Sequence, residues 1–404
     1  MLEPFRSEFN ARWTEAKYAE LRARLDRETR STIEFPVCET PCFFDRALME
    51  RIVKAGEELT MQLVGNVEYM RASSAAVPEA WRVPHEDAHP HFMTVDFGLV
   101  RDERGELEPK LVELQAFPSV FGYQAVLLRA YAEVYGVDAK LEWFFGGMDE
   151  DAYWTKLREV IVGDHAPENV VLAEVTPELQ KTLPDFHVHE DWLGIRTVDI
   201  AKLVKHGRQL FYRDAGRLVP VERIYNRAIV DDLVRNRVEL GFDYRDDLDV
   251  TWAGHPNWYF RVSKFSLPFL RHVTVPKTVF LDEWMAGTST VRLPEERERW
   301  VLKPLYSFAG KGVSFAPTDA ELDAIQVDER RNYLLQERVA FEPVIATPEG
   351  MTQAEVRILY VWPDGGVLTP MTTLVRMGRG LMMGVDHNKG KRWVGGSAGM
   401  VAGH

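Results

Sequence analysis

Cysteine is nearly absent: Cys38 and Cys42, in "CETPC", are the only two in 404 residues. A disulfide framework needs more pairs, and a structural zinc site needs a second ligand pair at matching spacing, so both residues read as reduced thiols. Basic charge is also in deficit. The 49 Lys and Arg are outnumbered by 62 Asp and Glu, for a net charge of -13. A phosphate backbone is bound through clustered Lys and Arg, so no nucleic-acid partner is expected, although one local basic site can still hold a small anion. Long hydrophobic runs are missing too. Nothing approaches the roughly 20 apolar residues of a membrane span, and "MLEPFRSEFNARWTEAKYAELRARLDRETR" has no signal-peptide core. The expectation is a cytoplasmic protein that engages neither membrane nor nucleic acid.

What is present is an ordinary globular composition, with 46% hydrophobic and 27% charged residues, on a chain too long for one core. Two or three packed subdomains are expected. "FDRALMERIVKAGEELTMQLV" has apolar residues at helical spacing with Asp45 near its start, which predicts one long amphipathic helix. "VDFGLVRDERGELEPKLVELQAFPS" predicts a strand carrying Asp96, a tight turn, and a second strand carrying Glu113 and Gln115 on one side. The helical "GYQAVLLRAYAEVYG" follows.

From about residue 165 the pattern alternates: "NVVLAEV" as strand, "TPELQKTL" as helix, "LGIRTVDI" as strand, then "QLFYRDAGRLVPVERIYNRA" as a hairpin turning at Asp214 to Arg217. Such alternation predicts a small α/β unit with a mostly parallel sheet. Beyond Pro256 come a helix ("FRVSKFSLPFLRH"), strands in "PKTVFL" and "RWVLKPL", a glycine-containing loop, and strands in "YLLQERV", "AEVRILYVW" and "VLTPMTTLVRM".

Lys303 closes the strand in "VLKPLYSFAGKGVSF", just ahead of Gly310 and Gly312. A glycine loop exposes backbone N–H groups to an anion while the lysine supplies fixed charge, though the same pattern also makes a plain hairpin turn. "YLLQERV" offers backbone groups and Glu337 as a hinge for adenine and ribose, or an edge strand with a salt-bridged glutamate. Arg357, Arg376 and Asn388 fall near one sheet face if the two last strands pair. Arginine forks suit phosphate and carboxylate oxygens, and solvated surface arginines are the plainer alternative.

The order of these pieces resembles the ATP-grasp superfamily, which includes glutathione synthetase. The resemblance runs from "FRVSKFSLPFL", where Lys264 matches the family's first nucleotide lysine, through "WVLKPLYSFAGKGV", "LLQERV", "AEVRILY" and "LVRM" to "DHNKGKRWVGG". In the linear family a helix, an Asp strand and a Glu-x-Asn strand come next. This sequence runs to "GGSAGMVAGH" without them and carries similar pieces, in the same order, near its beginning. The resemblance therefore implies an α+β ATP-grasp fold in circularly permuted order. Its parts would be residues 1–150 (the permuted closing part, with the metal strands), 151–255 (a small α/β pre-ATP-grasp domain) and 256–404 (the nucleotide-binding part, with a mobile subdomain at about 276–340).

The same resemblance implies an ADP-forming ligase that joins a carboxylate to an amine through an acylphosphate, acting on an amino acid or peptide-like small molecule. ATP would be held by Lys264, Lys303, Ser307, Gly310, Lys311, Gly312, Gln336, Glu337 and Val339. Magnesium would be held by Asp96, Glu113 and Gln115, the last standing where the family usually has Asn. Arg357 and Arg376 would hold the carboxylate or acylphosphate beside Asn388, with Asp386 behind. A phosphotransferase on the same fold, or a non-catalytic ATP-binding regulator, is the alternative.

Two further groups stand apart from that set. Arg227 in "ERIYNRAIVDD" is a substrate candidate at a strand end, with a salt bridge to Asp231 or Asp232 as its structural alternative. His85, His89 and His91 in "HEDAHPHF" are numerous enough for a metal, but Pro90 breaks their spacing and a polar loop is the simpler expectation.

Overall fold

The structure is a computed structural model and describes residues 2–305, 312–380, 383, 388 and 390–402. The strands in chain order begin with β1 (Cys42–Phe44), β2 (Phe92–Arg101), β3 (Leu107–Gln115) and β4 (Leu141–Glu142). The middle of the chain adds β5 (Val170–Glu174), β6 (Arg196–Asp199), β7 (Val204–His206), β8 (Gln209–Asp214), β9 (Arg217–Val221), β10 (Arg223–Asn226) and β11 (Thr251–Ala253). The remainder are β12 (Thr278–Phe280), β13 (Trp300–Pro304), β14 (Ser314–Phe315), β15 (Tyr333–Glu337), β16 (Pro343–Thr347), β17 (Gly350–Val361), β18 (Thr369–Gly378) and β19 (Gly395–Ala402).

Strands from both ends of the chain make the largest sheet, ordered β1-β19-β18-β17-β2-β3, with β16 added on β17 and β4 on β19. One face is mostly apolar: Val95, Phe97, Val356, Ile358, Tyr360, Val375 and Met377 are all buried. The helix Arg46–Gly65 seals it. Asp45 caps that helix by accepting from Leu48 N, and Leu48, Ile52, Leu59 and Leu63 repeat on its buried side. Contact is closest at Gly56, where an added Cβ would lie 2.1 Å from the Tyr360 hydroxyl. On the opposite face, Phe92, Leu359 and Val361 join the core that contains the buried helix Phe121–Tyr135. Further along that face, around Asp96 and Arg357, the side chains are charged.

The sheet β11-β10-β5-β6 is parallel throughout, as the alternating segment predicts. The helix in this unit is displaced from its expected place. "TPELQKTL" contributes only the 3-10 turn Pro177–Leu179, and the helix is Leu183–Leu193. Pro184 sits in its first turn, where a missing N–H costs nothing, and Gly194 ends it at φ +74. The expected hairpin turns between Asp214 and Arg217, but Arg223–Asn226 leaves it to join the parallel sheet.

A second antiparallel sheet, β12-β15-β13-β14, forms its own small core around Val279, Trp300, Leu302 and Leu335. Before it, "FRVSKFSLPFLRH" is not one helix. A short helix, Pro256–Arg261, is followed by the 3-10 segment Lys264–Phe269, because Ser263 starts a new cap on Phe265 N and Pro268 removes a donor. The architecture is α+β. Among the described residues, no helix is long and apolar enough to cross a membrane.

Candidate functional site

Antiparallel register places Arg357 of β17 directly opposite Asp96 of β2, and Asp96 opposite Glu113 of β3. Two residues along, Glu355 stands opposite Arg376 of β18. Alternation along each strand keeps these side chains on one face, so a row of charged side chains crosses the sheet. Asp96 is 2% exposed and accepts a bidentate pair from Arg357, Nε to Oδ1 and Nη2 to Oδ2, both at 2.6 Å. Arg376 Nη1 adds a bond to Asp96 Oδ2 at 3.1 Å and pairs with Glu355. Burial alone would raise the Asp96 acid, yet the two guanidiniums hold it below the usual carboxylate range. Glu355 goes the other way, pushed up by burial.

Facing this row are Lys264 and Lys303. Lys264 Nζ lies 3.0 Å from Glu113 Oε1. Lys303, on β13, donates to Gln336 Oε1 on β15 at 2.6 Å, and Gln336 donates to Thr278 Oγ1 at 3.0 Å. Burial pushes the Lys303 ammonium down to about 8; Glu113 and Glu355 pull it back up and Lys264 adds to the fall. Lys303, on the small antiparallel sheet, thus feels carboxylates of the large one. The chain leaving β15 also crosses to the large sheet, since a Cβ on Gly98 would lie 2.9 Å from Val339 and 2.7 Å from Phe341. Glu337 pairs with Arg299 at 2.5 Å, while its backbone N donates to Lys277 O.

Gly312 has φ +77, and a Cβ there would meet Pro304 at 2.9 Å, so glycine is required on both counts. Ser307, Gly310, Lys311 and Asp386 lie outside the described residues. Asn388 is 3% exposed; its Oδ1 accepts from Arg379 N at 3.1 Å, and its Nδ2 would lie 3.0 Å from a Cβ on Gly378, two residues past Arg376.

Ser119 joins the charged row to the parallel sheet. Its Oγ accepts from Arg357 Nη1 at 3.5 Å, and its carbonyl accepts from Arg227 Nη1 at 2.5 Å. Arg227 is 5% exposed and pairs with Asp185 at 3.5 Å. The expected partner, Asp231 or Asp232, is replaced because the helix Leu183–Leu193 brings Asp185 underneath. Arg227 follows β10 at the carboxyl edge of the parallel sheet, where α/β sheets open a crevice. Glu174 and Asn226 end neighbouring strands at that edge; Asn226 is at a strand end in the sequence reading but without a role there, and Glu174 was not singled out. Burial pushes Glu174 up to about 7, and the Asn226 Oδ1 is buried without a hydrogen bond. The position of Glu174 at a parallel-strand carboxyl end is the signal that would have found it.

For magnesium, the donors that fit are Glu113 and Gln115, which lie two residues apart on β3 at half-buried positions. One or two carboxylate or amide oxygens, with phosphates and water, suit that ion. Asp96 fits less well because both its oxygens already accept from arginines.

No protein-family profile matches the sequence, and no curated protein matches it. Among solved structures, the chain is similar to a glutathione synthetase like-effector (GSS30) from Globodera pallida in its apo form, with a TM-score of 0.61 and 12% identity. The match covers 96% of each chain. The fold is glutathione synthetase-like. At that identity the likeness speaks for the fold alone.

Proposed function

We propose that this chain is an ATP-grasp ligase in circularly permuted order, which joins a carboxylate to an amine with release of ADP and phosphate. The observation that carries the reading is the meeting of Lys264 and Lys303 with Glu113 in front of the Arg357–Asp96 row, two lysines and a metal-type donor facing a carboxylate-binding pair. The permuted order is supported by β2 pairing with β17, which unites early and late strands in one sheet.

In this reading Lys264 and Lys303 neutralise the nucleotide phosphates, with Gln336 fixing Lys303. Glu113 and Gln115 would hold magnesium, which supplies charge neutralisation across the phosphates when bound. Arg357 and Arg376, aligned by Asp96, hold the acceptor carboxylate. A carboxylate oxygen attacks the γ-phosphorus as the bond to ADP breaks, forming an acylphosphate. The amine nitrogen then attacks the acyl carbon, the carbon–oxygen bond to phosphate breaks, and the nitrogen loses a proton. Alignment and charge neutralisation are the catalytic contributions required. Arg227, Glu174 and Asn226 would bind the body of the substrate, an arrangement suited to a small molecule with both carboxylate and ammonium groups.

The test is ATP consumption with magnesium against pooled amino acids, dipeptides, polyamines and small carboxylic acids, with products identified by mass spectrometry. ADP with a condensation product is expected. Phosphorylated product without amine incorporation would indicate a phosphotransferase, and AMP would overturn the mechanism.

A further inference from the structure

Beside the helix Arg46–Gly65 the back of the large sheet is left partly open. The helix, the loop after β4 and the strands β18 and β19 enclose a cavity of about 630 Å³. Met49, Val53, Phe144, Phe145, Pro370 and Val401 form its walls. Thr373 and Gly399 form its floor, and a Cβ on Gly399 would lie 2.3 Å from Thr373 Cγ2, so no side chain can stand there. The loop is pinned to the sheet: Thr372 Oγ1 donates to the Trp143 carbonyl at 2.8 Å, and Phe144 stacks on Tyr153 with ring centroids 4.4 Å apart. A preformed, mainly apolar hollow of this size has the character of a small-molecule site. β18 sends Thr373 into it and, three residues on, Arg376 into the charged row, so the cavity lies on the opposite face of the sheet from Asp96.

The charges around the cavity do not balance. Glu50, Glu57 and Glu142 line it together with Arg46 and Lys54. Arg46 is committed, with Nη2 2.6 Å from Glu142 and Nε donating to the Ala402 carbonyl at 3.1 Å. Lys54 is exposed and pairs at 3.6 Å with Glu58, which does not line the cavity. Glu57 is half-buried, and among the described residues its carboxylate has neither an ion pair nor a hydrogen bond. Burial pushes its acid up, and Glu58 beside it adds to the rise. A carboxylate against apolar walls with no counter-charge is costly, and a bound cation removes that cost. Aromatic ring faces, supplied here by Trp143 and Phe145, attract the same charge. An anion would meet Glu50 and Glu57 instead.

We propose that this cavity binds a small organic cation, an ammonium group on an apolar body, with Glu57 as its counter-charge. The body would lie between the helix Arg46–Gly65 and the loop after β4. The site is separate from the charged row and does not depend on the ligase reading.

The experiment is calorimetric titration of the full chain with 2-phenylethylammonium and with choline, set against 2-phenylethanol and 3-phenylpropionate as neutral and anionic counterparts. It is repeated on Glu57→Gln, Val53→Trp and Glu174→Gln. Saturable binding of at least one ammonium, at one site per chain, is expected, about tenfold or more tighter than the alcohol, as a hydrogen bond to a charged group provides. Glu57→Gln should remove that preference, Val53→Trp, which fills the cavity, should remove binding, and Glu174→Gln should leave it unchanged. The Glu57 side chain has no partner to lose, so its variant tests the site even if Val53→Trp fails to fold. The proposal is overturned by absence of saturable binding, by equal affinity for the alcohol or the propionate, by indifference to Glu57→Gln, or by loss of binding in Glu174→Gln, which would place the ammonium at the edge of the parallel sheet.

Discussion

Arg357 and Asp96 stand opposite each other on adjacent antiparallel strands and close a two-bond fork at 2.6 Å on each arm. Arg357 is 7% exposed, so its loss leaves a buried carboxylate with Arg376 as its remaining cation. Breaking a buried pair from one side costs about 3–5 kcal/mol, whereas replacing both partners with apolar residues is often close to neutral. Arg357→Ala is therefore expected to lose that much stability in urea unfolding, and Arg357→Met combined with Asp96→Leu to recover most of it. Equal losses in both variants would show that the pair contributes little as a pair.

Lys303 sets a pH dependence. Its folded value of about 8 lies below the ordinary 10.5, so the folded chain carries a penalty from this group below pH 8 that is relieved as pH rises toward 10.5. In the proposed role nucleotide binding requires the ammonium and should run the other way, with affinity falling by up to about tenfold per pH unit above 8. Lys303→Arg should remove that slope. Lys303→Ala should abolish turnover with an unchanged circular dichroism spectrum, and wild-type activity in it would sink the assignment.

Periodicity and caps made the local elements legible: the helix Arg46–Gly65 shows its spacing and its Asp45 cap, and the β2–β3 hairpin shows its alternation. Proline misled twice, because Pro184 opens a helix that the sequence reading placed earlier, and Pro268 lies in a 3-10 segment read as α-helix. The site was legible as residue types but not as partners. Asp96 and Arg357 are 261 residues apart, and no local pattern says that Asp96 will spend both oxygens on arginines. For Arg227 the structural alternative named near neighbours, Asp231 or Asp232, as counter-ions for the same reason, when packing supplied Asp185. Glu174 went unnoticed because burial, which only tertiary structure supplies, is what raises its acid.

Glu174 gives the carboxyl edge of the parallel sheet its own signature. Its acid lies at about 7 rather than 4.5, so it becomes charged over the range where most assays are run. If it binds a substrate ammonium, affinity should rise as pH passes through 7, and Glu174→Gln should flatten the profile and raise KM about tenfold or more, with nucleotide affinity unchanged. The sign for stability is opposite: a raised carboxylate disfavours the folded state as pH climbs through 7. Steady-state KM profiles from pH 6 to 8 on both proteins decide it, and a flat wild-type profile would remove Glu174 from the substrate site.

In the proposed ligase, Glu113 and Lys264 would compete for each other and for the nucleotide complex. With their ion pair at 3.0 Å, Glu113 is available to magnesium and Lys264 to phosphate only when that pair opens. Glu113→Gln releases the lysine and removes the carboxylate. Magnesium should then no longer strengthen ATP binding, while magnesium-free affinity should improve by at most about fivefold, the worth of a half-buried ion pair of up to about 1 kcal/mol. Lys264→Ala should weaken binding with and without magnesium. Calorimetry of both variants with ATP, in magnesium and in chelator, separates the roles; a Glu113→Gln protein that keeps its full magnesium response would move the metal site away from β3.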